Sequence, residues 1–356
     1  ETGKRKRILK AGIKTQTLVT NYQYPQIDFS PDNKTLAVIY EKRDELKLLL
    51  YDLESGDKEK EDITKFQQVH SFRFMQDPRF LVMSAVNRGQ SDIYTYYLPS
   101  TRTTQITNDF HDDLFPAHIQ VDGVSGIMWS SNRNNDTLRE LKLDTIMPGG
   151  QYDLYRLESA DPEHTDLFDA LQHRVTRLTD TPEDERILSI APDRSRIAFR
   201  RGSFTGYGAA QLVTAALDEG ALDDETVLID SWSTPGSVSW SPDSQWLAYS
   251  RDDLDFNEEV YIHAADGSSE PVNVSQHPKG DDDPVWSADG SKLGFISGRS
   301  SGDDDVWFVW LREEDWERTE EDWEQRAEDA ADNGDNGASD DDESRDSAGE
   351  KKSSSK

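Results

Sequence analysis

The chain has 356 residues, 71 acidic against 39 basic, a formal charge of −32 and no cysteine. That balance lacks the basic footprint with which proteins neutralise nucleic-acid phosphates, and the missing cysteine excludes disulfides and thiolate metal centres. No segment approaches the ~18–20 consecutive apolar residues of a membrane-spanning helix, while 34% apolar and 10% aromatic residues supply a sizeable core.

The N-terminus reads as the middle of a repeat. Glu1-Thr2-Gly3-Lys4-Arg5-Lys6-Arg7 parallels Glu54-Ser55-Gly56-Asp57-Lys58-Glu59-Lys60 further on. Lys4 to Leu9 is therefore expected to be a fourth strand without its own first three.

The repeat itself is an apolar residue, a small residue, Pro or an equivalent, Asp, and then a turn residue. Its clear copies are Phe29-Ser30-Pro31-Asp32-Asn33, Trp240-Ser241-Pro242-Asp243-Ser244 and Trp286-Ser287-Ala288-Asp289-Gly290. Weaker copies start at Phe74, Ile119 and Ile190. The gaps between successive copies are 45, 45, 71, 50 and 46 residues. Blades of a propeller recur at ~40–50 residues.

Each copy predicts a short strand, a tight turn and a second strand such as Thr35 to Tyr40 or Trp246 to Ser250. A third strand follows, as in Leu46 to Tyr51, Asp92 to Tyr97 and Val306 to Trp310. A polar turn then leads to a fourth, as in Thr104 to Thr107 and Val272 to Ser275. Four short antiparallel strands make one blade. The predicted fold is all-β, a six-bladed β-propeller over residues 1–312. Its last copy supplies only three strands, so the N-terminal strand is expected to complete blade six and cover both open edges.

The long third gap holds an insertion at about 132–150, between the second and third strands of blade three. Beyond the last blade, residues 313–331 predict an acidic helix with Trp316 and Trp323 on one face. Residues 332–356 have the composition of a disordered linker.

The motifs of chemistry are missing. There is no phosphate-binding Gly-rich loop, no His-Glu-x-x-His zinc helix and no Gly-x-Ser-x-Gly elbow. The seven histidines lack ligand spacing. The runs Asp281 to Asp283 and Asp303 to Asp305 lack the spaced ligands of a calcium loop and read as exposed turns. Asp113 and Asp283 precede their first strands at similar offsets, which predicts a repeated structural hydrogen bond. No catalytic residue, metal ligand or cofactor is assigned. Position alone nominates a binding surface: Asp28, Arg73, His118 and Asp283 lie on or beside the first strands, which line the central channel of a propeller.

Trp240-Ser241-Pro242-Asp243 with Leu247-Ala248-Tyr249-Ser250 and a closing Leu-Thr resembles the TolB-type propeller repeat, which is related to WD40 repeats. The C-terminal blades resemble the N-terminal propeller of bacterial tricorn-protease-like serine peptidases. The residues that carry this are Asp230 to Asp243, Asp255-Phe256-Asn257, Glu270 to Ser275, and Val309-Trp310-Leu311-Arg312 with the acidic helix. The first half, in Gln105 to Phe110 and Ser130 to Leu138, looks closer to large periplasmic TolB-like proteins. The tricorn-like resemblance implies a non-catalytic domain that binds or gates polypeptide for a periplasmic or secreted peptidase. Further domains of a longer parent would then hold the catalytic residues. The TolB-like resemblance implies a periplasmic scaffold with a protein partner. A propeller enzyme acting on sugars or esters is the third expectation.

Overall fold

The repeat turns are built by one hydroxyl and one carboxylate. In the computed structural model, which describes residues 8–9, 24–42, 45–121, 124–133, 150–160, 173–203, 208–300, 304–317 and 322, Ser30 Oγ donates to Asp32 Oδ1 at 2.5 Å and accepts the Thr35 N–H at 2.9 Å. Ser241 repeats this with Asp243 at 2.5 Å and the Trp246 N–H at 2.9 Å. Ser287 does so with Asp289 at 2.7 Å and the Lys292 N–H at 2.9 Å. The residue after the Asp is left-handed in four copies: Asn33 (φ 55°), Arg194 (64°), Ser244 (61°) and Gly290 (69°). That conformation explains the preference for Asn and Gly at this position. Ser241→Ala removes both bonds from a buried hydroxyl and is expected to cost about 1–2 kcal/mol. Thermal denaturation checks this, and an unchanged midpoint would refute it.

These turns join strands into six antiparallel sheets among the described residues. Blade one holds β1 (Gln26–Phe29), β2 (Thr35–Lys42), β3 (Glu45–Asp52) and β4 (Lys58–Asp62). Blade two holds β5 (Gln68–Phe74), β6 (Phe80–Asn87), β7 (Gln90–Tyr97) and β8 (Arg102–Gln105). Blade three holds β9 (Asp113–Val121), β10 (Val124–Ser131), β11 (Asp153–Ser159) and β12 (His173–Arg177). Blade four holds β13 (Glu185–Ile190), β14 (Arg196–Gly202), β15 (Ala210–Asp218) and β16 (Ala221–Ser231). Blade five holds β17 (Ser239–Trp240), β18 (Trp246–Asp252), β19 (Glu258–Ala264) and β20 (Val272–Asn273). Blade six has three strands, β21 (Asp281–Trp286), β22 (Lys292–Ser297) and β23 (Asp305–Trp310).

The blades stack face to face through apolar layers. Ala37, Ile39 and Leu48 of blade one meet Phe72, Leu81 and Met83 of blade two. Val82 and Ile93 then meet Trp129 and Tyr155. Met128 and Leu154 meet Ile187 and Phe199. Ala198 and Leu212 meet Leu247 and Tyr249. Full burial of one such large side chain contributes roughly 1.5–3 kcal/mol, so these layers are the main adhesive between blades. Blade five reaches blade six through Trp286, whose Nε1 donates to the Ser239 carbonyl at 3.1 Å.

A second repeated bond finishes the outer edge. The side-chain hydroxyls of Thr107, Thr179 and Ser275 accept the N–H groups of Ile93, Leu154 and Val260 at 2.9, 2.9 and 3.0 Å. This gives the closing Leu-Thr of the repeat its physical sense, since the hydroxyl takes over where the fourth strand ends.

Of the expected closing strand, Lys4 to Arg7 lie outside the described residues. Ile8 and Leu9 pack on the blade-one face made by Leu36, Val38, Tyr40, Leu49 and Tyr51, and Lys58 Nζ donates to the Ile8 carbonyl at 2.5 Å. The insertion in blade three lies outside the described residues from 134 to 149. After the propeller, α1 (Glu313–Trp316) is a helix and Asp322 is helical. Trp323 and the tail from 332 onward lie outside the described residues. Among the described residues no helix is long and apolar enough to cross a membrane.

Candidate functional site

The first strands of all six blades line one central channel of about 1050 Å³. One ring of its wall comes from the residue just before the repeat motif: Asp28, Arg73, His118, Ser189, Ser239 and Val285. Strand alternation points this position the opposite way from the apolar residue that follows it. Asp283 lines the channel as well. All four residues nominated by position thus lie on the same wall.

Their partners differ. Asp28 Oδ2 accepts the Phe74 N–H of the next blade at 2.7 Å, and its other oxygen lies 3.8 Å from Arg73 Nη1. Burial pushes the Asp28 carboxyl upward, against the opposing pull of Arg73. His118 does not join them. Its Nδ1 lies 2.6 Å from Arg194 Nη1, and its Nε2 lies 3.2 Å from Ser125 Oγ. A guanidinium can only donate, so Nδ1 is the acceptor and Nε2 carries the proton. Burial, helped by the Arg194 charge, holds His118 down to about 3. It is a neutral wedge between blades three and four. Asp283 sits in a bulge at φ 48°, where the pairing of β21 with β22 shifts register.

The structure corrects one equivalence. Asp281, and not Asp283, matches Asp113. Each begins its first strand, opposite Ser297 and Ser131 respectively. Each binds an arginine two residues beyond that serine, Arg299 at 2.7 Å and Arg133 at 2.7 Å. The bulge after Asp281 moves Asp283 onto the channel wall, which is why a plain offset misplaced it. Glu185 makes the corresponding pair with Arg201 at 2.7 Å in blade four.

Further wall residues escaped the sequence reading, among them His70, Phe115, Arg186 and Arg194. The first three stand four positions before Phe74, Ile119 and Ile190. Extending the repeat alignment upstream of its motif would have found that layer.

Away from the channel, one carboxylate cluster is close enough to share a cation among the described residues. Asp92, Asp109 and Asp113 are all buried, with ligand-capable atoms within 4.8 Å of one another. Arg133 already supplies the positive charge. Its Nη2 lies 3.1 Å from Asp109 and 2.7 Å from Asp113, and all three side chains are shut off from solvent. Trp129 Nε1 donates to Asp113 at 2.9 Å. Burial and the neighbouring carboxylates push Asp92 up to about 7, and burial with repulsion from Asp113 pushes Asp109 up to about 6. The cluster bonds blade two to blade three.

No family model matches the chain, and no curated protein does. Solved structures do. A puromycin-hydrolysing peptidase of Mycobacterium tuberculosis is similar over 82% of this chain and 46% of its own, with a TM-score of 0.56 and 9% identity. The β-propeller domain of the Trilobed protease from Pyrococcus furiosus is similar over 81% and 79%, with a TM-score of 0.53 and 11% identity. The likeness is one of fold. TolB from Acinetobacter baumannii is 20% identical over 71% of this chain, which spans 54% of that protein, with a TM-score of 0.49.

Proposed function

We propose that this propeller is a non-catalytic domain that binds polypeptide at its central channel and serves a multidomain, tricorn-like peptidase of the periplasm or the secreted space. The channel wall carries the reading. It is wide, reached by every blade, and mixes charge with uncovered apolar surface: Ile27 is 54% exposed, Phe29 50% and Val285 63%. An exposed apolar patch rimmed by polar groups marks a surface that meets a partner. Propellers with this outline occur in a protease and a peptidase among the similar structures, which supports the same role here. The TolB-like scaffold shares the channel and differs in having a folded partner.

The test is fluorescence anisotropy of a labelled, reduced and alkylated polypeptide titrated with the full chain. Saturable binding is expected, at least tenfold weaker in the Ile27→Asp, Val285→Asp double variant. Both positions are exposed, so the fold should tolerate the change. Absence of saturation, or equal affinity for both proteins, sinks the proposal. Binding only to folded partners would favour the scaffold.

A further inference from the structure

Several of the buried arginines are set against acid. Arg133, Arg201 and Arg299 each hold one or two carboxylates. Blade four holds a pair of arginines with no carboxylate partner among the described residues. Arg186 on β13 and Arg200 on β14 stand directly opposite each other across the two strands. Residues so paired lie on one face, with Cβ atoms roughly 4.5–5.5 Å apart. Like charges in that relation repel. Among the described residues, the buried Nε of Arg186 meets no hydrogen-bond partner, and neither do the Nε and Nη2 of Arg200. Arg200 is only 7% exposed. Its chain neighbour Arg201, on the opposite face of the strand, reaches Glu185 at 2.7 Å and Glu225 at 2.8 Å. An acid supply is therefore at hand, and among the described residues this face of blade four lacks it.

Arg186 opens onto the channel, and its guanidinium lies 4.3 Å from the centre of the Phe115 ring. Phe115 holds a left-handed backbone at φ 53°, a costly conformation for a bulky residue, and such strain gathers at functional sites. The ring covers one side of the guanidinium, whose N–H groups can only donate. Burial, and for Arg186 also the charge of Arg200, makes the protonated form of both side chains less favourable than usual. A bound anion would relieve both costs, because paired donors of this kind fit the two oxygens of an oxyanion.

We propose that the channel wall at blade four is an oxyanion site, in which Arg186 binds a carboxylate or a phosphate directly and Arg200 supports it from the next strand. Arg194, also on the wall, is already committed to His118 and takes no part. The site does not depend on the channel's taking polypeptide.

Isothermal titration of the full chain tests it with three probes: inorganic phosphate, a short neutral peptide with a free C-terminal carboxylate, and the same peptide as its C-terminal amide. Saturable binding of phosphate or of the free-acid peptide is expected. It should weaken at least tenfold in Arg186→Gln and in Arg200→Gln, and stay unchanged in Arg79→Gln, whose pair with Asp77 is on the surface. Phosphate without peptide assigns the site to a phosphoryl group. Free acid without amide assigns it to a chain terminus. No saturation with any probe overturns the proposal, as does binding indifferent to both arginine variants. Melting guards against misfolding. Without anion, Arg200→Gln should melt at or above the wild type, since an unpaired buried charge is removed. A clear fall would reveal an internal partner and overturn the proposal too. Phosphate binding survives a failure of the polypeptide reading, so the two are separable.

Discussion

Arg133→Met is expected to destabilise the propeller by about 3–5 kcal/mol, the usual loss when one member of a buried ion pair is removed. The substitution keeps a long stem beside Trp129 and Tyr155, against which the guanidinium now packs, so the loss reports charge more than volume. Asp109 and Asp113 would remain buried without their cation. Urea denaturation at neutral pH measures the effect, and a change below about 1 kcal/mol would remove the cluster from the forces that bind blades two and three. Arg299→Met serves as the comparison. Its partner Asp281 is equally buried, but the arginine side chain is 18% exposed and holds a single carboxylate, so water can compensate more of the loss.

The second large effect is a dependence on pH. Asp92 titrates near 7 and Asp109 near 6 in the folded chain, against about 3.9 for an unfolded aspartate. Between those limits the folded state binds more protons than the unfolded one. The stability that these two groups contribute is therefore fully present below about pH 4 and is lost as the pH rises towards 7. Asp92 faces Asp109 and Asp113, and Gln105 and Thr107 donate to it from the outer edge of blade two. The carboxylates titrate as a coupled set. Asp92→Asn is expected to flatten the slope and raise stability at pH 7.5 by on the order of 2–4 kcal/mol. Melting curves of both proteins from pH 4.5 to 8 provide the check. The rest of the −32 charge is nearly common to both, so the difference between the two curves isolates the cluster. Parallel curves would show that Asp92 is not the group responsible.

The fold was legible because a propeller writes its turns into the sequence. Each Ser-Pro-Asp copy builds its turn from atoms within five residues, as Ser30, Asp32 and Thr35 do. Such contacts repeat wherever the letters repeat. The closing Thr or Ser was equally visible, and its bond to the third strand stays within one blade, 14 residues from Thr107 to Ile93 and 25 from Thr179 to Leu154. Blade number, strand order and the short last blade follow from those local signals.

The candidate site was legible only in part. Asp28, Arg73 and His118 were found because they stand one residue before the motif and so inherit its register. Asp283 reached the wall by a bulge that no spacing announces, and Asp281 took the structural role expected of it. The deeper failures are of distance. His118 meets Arg194 across 76 residues. Arg133 meets Asp109 and Asp113 by crossing a hairpin, and Arg186 meets Arg200 by strand pairing. What the sequence by itself determined was the repeating unit, because its bonds are local and its apolar alternation decides which face is buried. What only the tertiary structure decided was which charges are paired and which are not. Pairing depends on the stacking of whole blades, and the energy of a charge depends on how far that stacking removes it from water.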